Sequence, residues 1–161
     1  MRAEMHAVRD RSYGAWHRVA SMQRFVKPEH AYSMTMADLD SVMFTEYNHA
    51  SKLPLCLVEV GIDVGQEKPT GVLSCLAQQA DIPAYVALYS HATDFNPADT
   101  NWPDIAGFRI KRVWPRPERR WRHLSPNEWA SALVQIRNWQ LRKYLRQEAA
   151  NDANFNSRTG G

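Results

Sequence analysis

The sequence predicts an α/β protein: a central mixed sheet flanked by helices, with a C-terminal strand and a long helix added. Three observations predict it. The run "LPLCLVEV" at 53–60 is almost wholly apolar, as in a central strand covered on both faces. A helical stripe over 72–80 separates it from a second such strand, "PAYVALYS" at 83–90, which is the order of a βαβ unit. Ser125, Pro126 and Glu128 then open a long helix with a capping signature.

In chain order, Tyr13, Trp16, Val19 and Ala20 recur at helical steps from an N-cap at Ser12, and Pro28 is expected to end that helix. His17 beside Trp16 is read as a packing or hydrogen-bonding residue before a site residue. Residues 30–36 are expected to form a short first strand, and 36–47 an alternating one in which Asp38 and Asp40 share parity with Val42 and Phe44. "NHASK" at 48–52 is a turn, and Pro54 opens the next strand. Gly61 and Gly65 bracket a loop that reaches Pro69. The helix that follows presents Val72, Leu73, Leu76, Ala77 and Ala80. Residues 91–107 read as a polar loop, and "FRIKRVW" at 108–114 as an edge strand with one charged face. The final helix is expected to run to about Gln147 and to pack through Trp129, Leu133, Ile136 and Trp139, residues that suit a core or the surface of a homodimer. Residues 1–150 form the expected single domain, and 151–161 a disordered tail.

Composition narrows the setting. The 161 residues support one substantial core. No apolar run approaches the roughly 18 residues of a membrane span, so no membrane partner is expected. Cys56 and Cys75 fall on a predicted strand and helix as small hydrophobes. With no secretory h-region read at the N-terminus, this indicates a reducing, cytoplasmic setting. The net charge of +3 is uneven. Residues 108–123 hold seven basic side chains against one acid, whereas residues 1–107 hold 8 basic and 13 acidic ones. An acidic region followed by a basic one suits a polyanionic partner, and nucleic acid, DNA in particular, is the expected one. Arg112, Arg116, Arg119, Arg120 and Arg122 are the candidate phosphate contacts, with Trp114 and Trp121 interleaved for base stacking. The other reading of this run is a solvated edge strand and loop. No GxSxG, HExxH or phosphate-cradling glycine motif occurs, and the six histidines lack ligand spacing, which argues against zinc.

Acids on otherwise greasy strands need a cation nearby to offset desolvation. Asp38, Asp40 and Glu59 are such acids, and a bound metal is one source of that cation. The alternative is that Asp38 and Asp40 cap a strand end while Glu59 pairs with an arginine such as Arg18.

"DLD" at 38–40, "CLVEVG" at 56–61, the following helix and "AYVALY" at 84–89 together resemble the PD-(D/E)XK restriction-endonuclease-like superfamily over roughly residues 12–90. "YGAWHR" ahead of "DLD" looks like a small phage or prophage-type member. The resemblance implies a restriction-endonuclease-like fold and metal-dependent hydrolysis of phosphodiesters in DNA. Mg²⁺ or Mn²⁺ would be held by Asp40, Glu59 and the Val60 carbonyl, with Asp38 as a further ligand or water-positioning group. The family places a catalytic lysine two residues after the glutamate, where this chain has Gly61. Lys68, in the loop ahead of the next helix, is the candidate replacement, and Gln78 or Gln79 are weaker ones. Asp63 and Glu67 read as surface carboxylates. A catalytically inactive relative that binds nucleic acid or a protein partner is the alternative function, and a purely structural protein a weaker one.

Overall fold

A computed structural model describes residue 13 and residues 16–33, 41–47 and 51–159. The chain divides into two compact units, residues 1–38 and 39–161.

In the first unit the expected continuous helix is broken. A turn at 17–18 precedes α1 (Val19–Met22) and a second turn follows it. Pro28 starts α2 (Pro28–Ser33) rather than ending a helix, because its missing N–H costs nothing at the first helical position. The short strand expected over 30–36 is therefore replaced by helix through Ser33. The rings of Tyr13, Trp16 and Phe25 pack in sequence at 5.6 and 5.8 Å. His17 Nδ1 lies 3.3 Å from the Tyr13 hydroxyl, a local contact in keeping with its expected packing role.

The second unit is built on a five-stranded mixed sheet in the order β1 (Ser41–Tyr47), β2 (Ser51–Ile62), β3 (Ala84–Asn96), β4 (Asp99–Trp114), β5 (Arg122–Leu124). Among the described strands only β2 and β3 are parallel, joined through α3 (Gly71–Ala80). Pro54 lies inside β2 at a register shift between Met43 and Phe44, where a missing ladder donor is tolerated.

Strand parity divides the core into two layers. Leu57, Val86, Leu88 and Val113 pack with Leu73 and Ala77 of α3. Cys56, Val58, Tyr85, Ala87 and Ile110 pack with Trp129 of α4 (Pro126–Thr159) on the other face. Covering on both faces explains why "LCLV" carries no polar residue.

Several elements depart from the sequence reading. Residues 91–107 are the arms of a long β3–β4 hairpin, not a loop. The 108–114 strand is interior, pairing with β3 along its length and with β5 over Phe108–Ile110. In α3 only Leu73 and Ala77 are buried; Val72, Leu76 and Ala80 face outward, as does Cys75. The start of α4 is as expected: Glu128 N–H donates to Ser125 Oγ at 3.2 Å and Ser125 N–H to the Glu128 carboxylate at 2.7 Å. Hydrogen bonding of its carboxylate by the Ser125 backbone N–H first, and by the Ser125 side chain, holds the Glu128 carboxyl below its ordinary pKa. The helix continues through residues 151–159, where a tail was expected, and at 34 residues is about 51 Å long. Gln140 is fully buried, and among the described residues neither amide atom has a hydrogen-bond partner, while Trp139 sits on the flank with the Lys143 ammonium 5.6 Å from its ring centre. Among the described residues no helix is long and apolar enough to cross a membrane.

Candidate active site

Glu59 shares strand parity with Leu57, so its side chain leaves β2 on the face covered by α3, near the end of that strand's buried run. Beyond Ile62 the chain turns sharply. Asp63 N–H extends the ladder to the Tyr89 carbonyl at 2.8 Å, and its carboxylate accepts from Gly65 N–H at 3.0 Å. Gly65 adopts a φ of 75°, which a side chain would resist. The same carboxylate receives a two-pronged hydrogen bond from Arg109, Nε at 2.9 Å and Nη2 at 2.7 Å. Arg109 first, and then the Gly65 N–H, lower the Asp63 pKa from its ordinary value, with the charge of His123 adding to the effect. Asp63, expected to be surface decoration, is the staple that fixes the 63–70 loop to β4.

That loop returns Lys68 to β2. Its ammonium lies 3.0 Å from Glu59 Oε1 and 2.5 Å from the Val60 carbonyl oxygen. The approach depends on Gly61. A Cβ at that position would lie 2.7 Å from Lys68 Cε and 3.0 Å from its Nζ. The lysine from the loop thus fills the space that a side chain at 61 would take. The pair is partly screened from water, with Lys68 34% and Glu59 21% exposed.

The Glu59 carboxylate and Val60 carbonyl therefore converge on one cationic position. Both are hard oxygen donors of the kind Mg²⁺ selects. Asp38 and Asp40, the other expected acids, lie outside the described residues. Among the described residues no group of three His, Cys, Asp or Glu side chains is placed to hold a metal ion. Gln78 and Gln79 are exposed near the C-terminal end of α3, and among the described residues neither donates to Glu59.

The basic segment is only partly available to a partner. Arg109 is committed to Asp63, and Lys111 lies 3.4 Å from Glu67. Glu118 accepts from the Arg112 backbone N–H at 2.7 Å and pairs with Arg122 at 3.2 Å, while Arg112 Nε donates to the Arg116 carbonyl. Among the described residues Arg116, Arg119 and Arg120 remain exposed and without an acidic partner. Trp114 and Trp121 pack against the α3-side core instead of projecting as stacking platforms. The Arg109 guanidinium lies 4.5 Å from the centre of the Trp121 ring. Glu67 also exceeds its expected role: one of its oxygens accepts from Trp121 Nε1–H at 3.3 Å as well as from Lys111. Those two donors, the indole first, lower its pKa.

No family model, curated protein or solved structure matches the chain.

Proposed function

We propose that the chain is a nuclease-like protein of restriction-endonuclease-like fold that hydrolyses phosphodiesters in DNA with Mg²⁺ or Mn²⁺. The observation that carries this reading is the Lys68 ammonium seated on Glu59 Oε1 and the Val60 carbonyl, in the space left open by Gly61. The three groups this chemistry needs on β2 and its loop are then together: a carboxylate, a carbonyl and an ammonium. Glu59 and Val60 would hold the metal, with Asp40 and Asp38 as the additional acids. The bound metal supplies an activated water and neutralises charge on phosphorus. Lys68 supplies a preorganised donor to the oxygens that gain charge, a role worth about 2.7–4 kcal/mol for a single donor elsewhere. Arg116, Arg119 and Arg120 contact the strand backbone, giving salt-dependent affinity.

The test is metal-dependent cleavage across a panel of single- and double-stranded DNA and RNA. Cleavage by wild type that disappears in Glu59→Ala, Asp40→Ala and Lys68→Ala supports the proposal. Equal inertness of wild type and variants sinks it.

One observation favours a second reading. Lys68 already occupies Glu59 Oε1 and the Val60 carbonyl, as it would in a catalytically inactive relative that binds nucleic acid or a protein partner. This reading predicts salt-dependent DNA binding without turnover, weakened by Arg119→Glu with Arg120→Glu and indifferent to Mg²⁺.

A further inference from the structure

A cavity of about 420 Å³ opens beside the candidate active site, and Lys68 lies on its wall. That volume falls in the range of about 300–1,000 Å³ usual for small-ligand pockets. Val86 and Val113 form an apolar side, while Lys111, Arg112 and Trp121 form a cationic and aromatic one. Glu118, also on the wall, is occupied by the Arg112 backbone and by Arg122.

The chain itself seats an anion here. Lys111 Nζ and Trp121 Nε1–H converge on a single oxygen of Glu67. The donors are built in: Lys111 is 24% exposed and projects from β4, and Trp121 packs on the core. The acceptor is loose: Glu67 is 69% exposed and comes from the 63–70 loop. Its contacts of 3.3 and 3.4 Å exceed the about 2.7–2.9 Å of a well-made charge-assisted hydrogen bond. Two donors thus share one oxygen of an exposed carboxylate at long distances, and a phosphate, with more oxygens and more charge, satisfies them better.

We propose that this cavity is a nucleotide-phosphate pocket in which Glu67 is an internal placeholder, displaced when the phosphate ester of a nucleotide enters. The anion site stands on the cavity and its donors; the choice of a nucleotide as the phosphate's carrier rests on the nuclease reading.

The experiment follows the indole N–H resonance of Trp121 in the full chain, assigned by its loss in Trp121→Phe, during metal-free titration with thymidine monophosphate, thymidine and inorganic phosphate. Thymidine monophosphate is expected to move the resonance and thymidine to leave it unmoved. Glu67→Gln should tighten binding by about 3–10-fold and Lys111→Met weaken it by about tenfold, the scale of one charge-assisted hydrogen bond made or broken. An unmoved resonance, or unchanged affinity in Lys111→Met, overturns the pocket. Inorganic phosphate binding as tightly as the nucleotide overturns the nucleotide assignment. The nuclease reading fails separately: binding in a wild type that cleaves nothing leaves the pocket standing, whereas cleavage without nucleotide binding removes the pocket alone.

Discussion

Gly61→Ala separates a structural role for the Glu59–Lys68 pair from a catalytic one. The added methyl group would lie 2.7 Å from Lys68 Cε, too close to be kept, and 3.0 Å from Nζ, a tight approach, but 3.5 Å from Leu88 Cδ2, an ordinary contact. The clash falls on the end of a flexible side chain, so the lysine moves and the strand does not. Folding should barely register the change. The partly exposed ion pair is worth up to about 1 kcal/mol. Replacing glycine by alanine in a compatible backbone returns about 0.4–1 kcal/mol by restricting the unfolded chain. The urea-unfolding free energy should therefore stay within about 1 kcal/mol of wild type. If the chain is the nuclease proposed above, cleavage should in contrast fall by about 10²–10³-fold, the loss of one preorganised donor of about 2.7–4 kcal/mol. Combining Gly61→Lys with Lys68→Ala moves the ammonium from the loop to the strand and should restore part of the rate. The reasoning fails if Gly61→Ala cleaves at the wild-type rate while Lys68→Ala does not. A loss of more than about 2 kcal/mol in stability would show that the strand, not the lysine, absorbs the methyl group.

Three further outcomes follow from the same structure. Gln140→Leu removes two buried amide atoms that have no hydrogen-bond partner among the described residues, and should raise unfolding free energy by about 1–3 kcal/mol; unchanged or lower stability in urea would mean the amide has a partner. Burial pushes the Cys56 thiol up to about 12 while Cys75 is exposed, so a thiol reagent should label Cys75 rapidly and Cys56 only after denaturation, with equal labelling rates in the native protein as the contrary result. Asp63 has a folded pKa below its unfolded one, so the stability it supplies is full above the ordinary carboxylate range and is lost as pH falls through the depressed value. Asp63→Asn should lower stability at neutral pH and flatten its acid-side decline, and parallel pH profiles for the two proteins would contradict this.

The parts of the fold that sequence conveys best are those where burial and local chemistry agree. The "LCLV" run is apolar because helices cover it on both faces, and Ser125 with Glu128 marks the start of α4 because the two residues bond each other. The hairpin arms over 91–107 were hidden because they are mostly exposed, held by pairing across β3 and β4, which leaves no apolar alternation to read. In α4 the buried stripe passes through Trp129, Leu133, Ile136 and Gln140, so an amide occupies a position where tryptophan one residue earlier looked the better candidate. At the site, Glu59 was legible from its strand, whereas Gly61 read as a missing lysine. Its meaning emerges only with the loop in place, since the Asp63–Arg109 staple and the turn at Gly65 bring Lys68 back over it. The same staple shows why a count of basic residues overstates the free charge of the 108–123 segment.

The position of α4 also bears on the order in which the second unit is completed. Tyr144 donates its hydroxyl to the Pro54 carbonyl across 90 residues, and Trp129 closes a layer whose other members lie on β2, β3 and β4. During synthesis the strands emerge first, with one face of the sheet uncovered until the last helix is made. Such long-range closure slows folding and leaves an apolar surface open to other chains in the interval. A chain ending before Trp129 would keep that surface permanently, so truncation there should yield aggregates rather than a smaller folded core.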